Sequence, residues 1–131
     1  MMKQLTLAIV LTIVAGGPVS AQALRAVERI TIDDLKALMA DKKVVIIDVR
    51  NEQEFGRGRI PGAVNINYTD IVGQAQRFAK EKRTIVTYCA CANEATSARA
   101  AVDLAARGIG GVKALKDGWD AWIERKEPVE K

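Results

Sequence analysis

The chain has 131 residues, of which 49% are hydrophobic and 27% are charged, and its formal net charge is +4. This balance is typical of a globular domain, and the mild basicity would favour small anionic substrates. Basic residues are scattered among acidic ones and only 5% of residues are aromatic, so we expect no nucleic-acid partner. The sequence has no histidine, which excludes Cys–His and Ser–His–Asp catalysis and any zinc site with a histidine ligand.

Residues 1–23 have the pattern of a secretory signal peptide. A short basic start precedes an apolar run over residues 5–16, and small residues follow it, so that cleavage after Ala21 and cleavage after Ala23 both fit. The apolar run is shorter than the roughly 20 residues that span a bilayer, and an uncleaved anchor is the alternative. We therefore expect an exported, most simply periplasmic, protein with one domain over residues 24–131 and no stable membrane association after cleavage.

Strands and helices are predicted to alternate along the remaining chain. Thr31 followed by Asp34 predicts a capped amphipathic helix, with Asp in place of the usual Glu. Short β-branched runs predict strands buried on both faces, and the glycines between the first two strands predict a loop. The predicted strands are 44–49, 63–66, 84–88 and 112–115, and the later predicted helices are 69–82, 93–107 (Asn93 as N-cap, Gly108 after its end) and one around Trp119 and Trp122. This alternation predicts an α/β domain with a central, mainly parallel sheet flanked by helices.

Cys89 and Cys91 are the candidate reactive residues, and they are the only two cysteines in the sequence. Cys89 directly follows a predicted strand, and ligands of open α/β sheets bind at the carboxyl ends of strands. The start of the next helix offers unpaired N–H groups and a favourable dipole, which stabilise a thiolate. The predicted substrate-binding groups are the backbone amides of Ala90, Ala92, Asn93, Glu94 and Ala95. We expect no metal and no cofactor, and a buried, inert thiol is the alternative for Cys89.

Three segments, in order along the chain, resemble the signatures of the rhodanese family. Residues 44–66 resemble the Asp-Val-Arg strand and its Gly-His-Ile-Pro-Gly-Ala loop, residues 85–89 resemble the strand that delivers the catalytic cysteine, and residues 115–122 resemble the closing signature that ends in Ala-Trp. The resemblance implies a rhodanese-like three-layer domain. It also implies a sulfurtransferase that moves sulfane sulfur from thiosulfate or a polysulfide to cyanide or a thiol, including a protein thiol, through a cysteine persulfide.

The active-site loop departs from the family's usual Cys-x-x-Gly-x-Arg-Ser. If the family pattern is aligned on the strand before the loop, Cys89 is the nucleophile and the loop is two residues longer than the family's. If the pattern is aligned on residues 97–99, Cys91 is the nucleophile. We prefer Cys89 because the strand and the cysteine then match without a gap, which leaves Cys91 as the alternative nucleophile or a resolving cysteine. Ala95 and Ser97 stand where related phosphatases need an arginine, so phosphatase chemistry is not expected.

Two other functions remain open at this point. Cys89 and Cys91 could form a thiol–disulfide redox pair, because disulfides between such close thiols tend to be labile. Alternatively, the domain could be a catalytically inactive binding module, since a protein can keep its fold after losing its activity. Glu94 bears on this choice: it is predicted as a helix-start residue favoured by the dipole, and its charge would repel thiosulfate.

Overall fold

The computed structural model describes residues 18–131. Most of the predicted leader, residues 1–17, therefore lies outside the described residues. The two candidate cleavage positions, Ala21 and Ala23, lie within a short helix whose first turn is capped by the side chain of Ser20. Among residues 18–131, no helix has the length and apolar character needed to cross a membrane.

Five strands and five helices follow one another along the described chain. The strands are β1 (Arg29–Ile30), β2 (Val44–Asp48), β3 (Val64–Asn65), β4 (Thr84–Tyr88) and β5 (Lys113–Leu115). The helices are α1 (Ala21–Ala26), α2 (Ile32–Ala40), α3 (Glu52–Arg57), α4 (Ala95–Ala106) and α5 (Gly118–Glu124). Thr31 caps α2 by accepting a hydrogen bond from the Asp34 amide, as predicted.

The strands form one sheet in the order β1-β5-β4-β2-β3, and every adjacent pair is parallel. The long β2–β4 pairing runs from Val44 opposite Thr84 to Asp48 opposite Tyr88, so both strands end at the same edge. Their β-branched residues fill both faces of the sheet, which is why these runs show no polar alternation. The predicted α/β architecture with a parallel central sheet is confirmed.

Two hydrophobic clusters, one on each side of the sheet, produce three layers. Buried residues of α4, including Ala101 and Leu104, pack with Ile47 in one cluster. Leu35 of α2 and Trp122 of α5 belong to the other cluster. The sheet is therefore covered by helices on both faces, and its open positions are the loops at the strand ends.

The structure corrects two of the predicted elements between β2 and β4. Residues 69–82 do not form an α-helix: the segment contains two 3-10 turns, Tyr68–Asp70 and Ala75–Phe78, with Gly73 between them. The segment buries Ile71, Ala75 and Phe78, whereas Val72 and Ala79 are exposed, so the apolar spacing reflects core packing by separate turns rather than a continuous helix. The predicted glycine loop after β2 contains α3, which begins at a capping Asn51 whose side chain accepts a hydrogen bond from the Glu54 amide.

Candidate active site

The candidate site lies at the common carboxyl edge of β2 and β4. A cavity of about 320 Å³ opens there. Arg50 follows β2 and Cys89 follows β4, and both line this cavity together with Asn67, Tyr68, Cys91 and Thr96. The parallel pairing of β2 with β4 brings these residues together, because parallel strands present their carboxyl ends to the same edge.

The two cysteines of the sequence are joined in a disulfide, with their Cα atoms 5.6 Å apart. Cys89 is only 3% exposed and belongs to the hydrophobic cluster on the α4 side of the sheet. Cys91 is half-buried and packs against the edge of that cluster. The pair therefore combines a buried residue with a more exposed one, and both line the cavity.

The backbone of Cys89 is held by the first turn of α5. The Trp119 amide donates a 2.9 Å hydrogen bond to the Cys89 carbonyl oxygen. Gly118 packs directly against the same carbonyl, and a Cβ atom at that position would overlap it. This close approach fixes the first cysteine of the loop independently of α4.

The sulfur of Cys91 receives the amide hydrogen bond that sequence analysis expected at the nucleophile. The Thr96 N–H, in the first turn of α4, points to Cys91 Sγ at 3.4 Å. Because α4 has 12 residues, its first turn carries a substantial positive partial charge. An ionised sulfur at Cys91 would be stabilised by both effects, as thiolates at helix N-termini are.

The loop between the cysteines and α4 adopts two consecutive left-handed residues. Asn93 has φ 56° and Glu94 has φ 53°, so α4 begins at Ala95 and Asn93 does not cap it. The predicted N-cap at Asn93 is therefore wrong: Glu94 precedes the first residue of α4, and it makes no side-chain capping hydrogen bond. The predicted end of α4 is confirmed, with Gly108 just beyond it at φ 87°.

The five predicted substrate-binding amides all lie in this loop. The Ala95 amide donates to the Ala92 carbonyl oxygen, which closes a 3-10 turn over Ala92–Glu94. Ala90 lines the cavity, and Ala90, Ala92 and Asn93 are exposed. The contribution of these amides to substrate binding stays a prediction.

Glu94 is buried, at 6% exposure, and its carboxylate holds the loop to two other segments. One oxygen pairs with Arg29 of β1 at 3.3 Å, and the other accepts a 2.5 Å hydrogen bond from the Asp117 amide. Arg29 also donates to the carbonyl oxygens of Leu24 and Val27, at the end of α1. The negative charge of Glu94 is thus compensated by Arg29, and Glu94 does not line the cavity.

A buried polar cluster supports the floor of the site. Asp48 accepts two-pronged hydrogen bonds from Arg50, the shortest 2.6 Å, and a further 2.6 Å bond from the Tyr88 hydroxyl. Burial and the negative charge of Asp48 raise the pKa of Tyr88 well above its ordinary value. Burial opposes the charge of Arg50, but the contacts with Asp48 outweigh it and raise the pKa of Arg50.

Trp119 completes this floor and links it to the cysteine loop. The guanidinium of Arg50 lies 4.3 Å from the centroid of the Trp119 ring, and the Tyr88 and Trp119 rings stack 6.1 Å apart. Because the Trp119 amide also holds the Cys89 carbonyl, a single residue connects the charged cluster to the disulfide loop. Arg50 keeps a permanent positive charge in the cavity wall, balanced by Asp48.

Asp48, Tyr88 and Thr96 belong to the site but were not predicted from the sequence. Asp48 and Tyr88 are the last residues of β2 and β4, so their strand-end positions were a usable signal. The sequence gives no such signal for Thr96, because its backbone amide makes the contact. The loop conformation that directs this amide cannot be read from the side chains.

Comparison with known proteins agrees with this architecture. The family model described as "Rhodanese-like domain" matches residues 31–125. The chain is 30% identical over 100 residues to the thiosulfate sulfurtransferase GlpE of Shewanella oneidensis, covering 74% of this chain and 93% of that protein. The α/β fold, the strand-end cysteine and this match together show that the chain belongs to the rhodanese-like domain family.

Solved structures show the same fold at lower identity. A thiosulfate sulfurtransferase from Pseudomonas aeruginosa superposes with a TM-score of 0.72 at 24% identity, covering 83% of this chain and 21% of that one. The human single-domain sulfurtransferase TSTD1 superposes with a TM-score of 0.63 at 22% identity, covering 74% of this chain and 96% of that one.

Proposed function

We propose that the protein is a sulfurtransferase that carries sulfane sulfur as a persulfide on its cysteine pair, with Cys91 as the sulfur that attacks the donor. The observation that carries this proposal is the Thr96 N–H directed at Cys91 Sγ at the start of α4. It provides the thiolate stabilisation that persulfide chemistry needs in a chain without histidine.

The choice between the two cysteines differs from the one favoured by the strand match. Continuity with β4 favours Cys89, whereas accessibility and the amide contact favour Cys91. The loop supports Cys91 as well: counted from Cys91, the family's glycine position falls on Glu94, which adopts the left-handed conformation that glycine usually occupies. Counted from Cys89, that position falls on Ala92, which is not among the positive-φ residues.

The cavity suits a small sulfur-containing anion such as thiosulfate or a polysulfide. It lies at the positive end of α4, while the charge of Arg50 in its wall is balanced by Asp48 and Glu54 also lines it. In the proposed transfer, the Cys91 thiolate attacks the outer sulfur of the donor, the donor's S–S bond breaks, and sulfite or a shortened polysulfide leaves with the electron pair. The persulfide then passes its outer sulfur to cyanide or to a small-molecule or protein thiol.

A sulfur-transfer assay on the reduced protein tests this proposal. The wild type is expected to release sulfite from thiosulfate, Cys89→Ser to convert thiosulfate and cyanide to sulfite and thiocyanate, and Cys91→Ser to do neither. Activity lost only in Cys89→Ser would reverse the assignment of the two cysteines. No transfer by any of the three proteins, with several donors, would favour an inactive binding module instead.

The disulfide itself favours a second candidate function, a thiol–disulfide redox protein. The two sulfurs are bonded across a single intervening residue, which is the oxidised form that such a protein would present to partner thiols. A redox protein would exchange its disulfide with partner thiols at similar rates with and without a sulfane sulfur donor. Measuring that exchange in the presence and absence of thiosulfate separates the two candidates.

We further propose export to the periplasm, which rests on the leader pattern of residues 1–23. Mass spectrometry of the protein isolated from its native compartment tests this. A mature N-terminus at Gln22 or Leu24 is expected, and a chain that retains its leader would contradict the proposal.

A further inference from the structure

We propose that Cys89 resolves the Cys91 persulfide inside the protein, so that the sulfur leaves as hydrosulfide and the enzyme works as a dithiol-dependent, sulfide-releasing reductase. This inference rests on the proposed function. It goes beyond simple transfer because it specifies the product, the oxidation state of the protein after one turnover, and the class of co-substrate.

The bonded sulfur atoms show that Cys89 can reach the inner sulfur of a persulfide on Cys91. That inner sulfur is Cys91 Sγ itself, the atom to which Cys89 Sγ is joined in the structure. An external acceptor has to diffuse to the site, whereas a well-placed internal group can act with an effective concentration of about 10⁵ M or more. Internal attack is therefore expected to outrun transfer to dilute acceptors.

The burial of Cys89 restricts the partners of its sulfur. Cys89 is 3% exposed within an apolar cluster, so molecules from solvent have little access to it, whereas Cys91 Sγ is within bonding reach. The Cys89 sulfur attacks Cys91 Sγ, the persulfide S–S bond breaks, and the outer sulfur takes the bonding electrons. The Cys89 proton passes to that departing sulfur, which leaves as HS⁻, while two cysteines are oxidised to the disulfide.

The cycle closes only with an external two-electron reductant, and the geometry indicates a dithiol. Cys91 is the more accessible end of the disulfide, so a thiolate of the reductant is expected to attack Cys91 Sγ and release Cys89. The second thiol of the reductant then displaces Cys91 and becomes a disulfide itself. Overall, one thiosulfate and one dithiol give sulfite, hydrosulfide and one disulfide.

A single turnover with fully reduced protein, one equivalent of thiosulfate and no other thiol tests the inference. The wild type is expected to release one sulfite and one hydrosulfide per chain and to lose both titratable thiols. Cys89→Ser is expected to release one sulfite, release no hydrosulfide, and retain one added sulfur by intact mass. Cys89→Ala gives the same readout if a buried hydroxyl prevents the serine variant from folding.

A matched control keeps two thiols but separates them. Lys80 is exposed before the start of β4, at the edge of the sheet opposite the site. The double variant Cys89→Ser/Lys80→Cys is expected to behave like Cys89→Ser, because the new thiol cannot reach the persulfide. Hydrosulfide release by this variant would show that any thiol suffices and would overturn the inference.

The single-turnover experiment distinguishes failure of internal resolution by Cys89 from failure of the sulfurtransferase proposal. Sulfite released by the wild type, with the persulfide retained and no hydrosulfide formed, would overturn internal resolution and leave the sulfurtransferase proposal standing. Absence of sulfite from every variant would overturn the sulfurtransferase proposal itself. With dithiothreitol added, the wild type is expected to release hydrosulfide over many turnovers.

Discussion

Gly118 packs so closely against Cys89 that a Cβ atom on Gly118 would overlap the Cys89 carbonyl oxygen. Gly118 also has φ 54°, which glycine adopts without strain and other residues rarely adopt. The first turn of α5 thus contacts the cysteine loop through its backbone, and the Trp119 amide adds a hydrogen bond to the same carbonyl.

Because of this contact, we expect Gly118→Ala to destabilise the folded protein strongly. The substitution is expected to lower the free energy of unfolding by about 2 kcal/mol or more, because left-handed strain and backbone overlap add together. Gly56→Ala is the matched control, since its Cβ would meet no atom within 4 Å. The control is expected to be neutral or stabilising by up to about 1 kcal/mol. Equal urea midpoints for the two variants would contradict the proposed contact.

Glu94 is expected to stabilise the site through its ion pair and its backbone contact. Glu94→Ala removes the partners of Arg29 and of the Asp117 amide and is expected to cost about 1–3 kcal/mol of unfolding free energy. Glu94→Gln keeps an oxygen for the amide and should cost less. Glu124→Ala, at an exposed position on α5, should change stability by less than about 0.5 kcal/mol.

The kinetic consequence of Glu94→Ala separates loop positioning from substrate repulsion. If the carboxylate mainly holds the loop, its removal slows persulfide formation with thiosulfate. Faster reaction of the variant with thiosulfate than of the wild type would instead show that the Glu94 charge repels the donor. Stopped-flow measurement of sulfite release distinguishes the two outcomes.

The raised pKa of Tyr88 predicts a loss of folding stability at alkaline pH. Its pKa is raised in the folded protein, so above pH 10.0 the unfolded chain loses this phenolic proton while the folded chain keeps it. The stability that Tyr88 contributes is therefore complete below pH 10.0 and declines as the pH rises further. Tyr88→Phe lacks this dependence, although at neutral pH it is expected to be less stable by about 1–2 kcal/mol through loss of the Asp48 hydrogen bond.

Urea unfolding of wild type and Tyr88→Phe, at neutral pH and just above pH 10.0, measures this difference. The stability gap between the two proteins should narrow at the higher pH. Tyr68, whose pKa is also raised by burial and by Asp103, is present in both proteins, so its contribution cancels. A gap that stays constant or widens would contradict the assigned direction.

The sequence predicted the sheet well because its strands are buried on both faces. Continuous β-branched runs such as Val44–Asp48 and Thr84–Tyr88 leave little alternative to a parallel sheet, and the structure confirms both. The short edge strand Arg29–Ile30 escaped prediction because two residues carry no periodicity. The segment 69–82 was mispredicted because it buries Ile71, Ala75 and Phe78, whose spacing also fits an α-helix, through two 3-10 turns.

The site was predicted in outline but not in its contacts. The position of Cys89 after β4 follows from strand patterning, and Cys91 follows from it by proximity in sequence. The left-handed conformations of Asn93 and Glu94 depend on contacts distant in sequence, such as the pairing of Glu94 with Arg29. No local pattern encodes that pairing, and none encodes the contact of the Thr96 amide with Cys91 Sγ.

The measurement that tests the central claim most directly is peptide mass mapping of the reduced protein after exposure to thiosulfate. The account predicts that Cys89→Ala carries one added sulfur on Cys91, because the Thr96 amide and the start of α4 stabilise that sulfur, and that Cys91→Ala carries none. An added sulfur on Cys89 in Cys91→Ala, with Cys91 unmodified in Cys89→Ala, would contradict it.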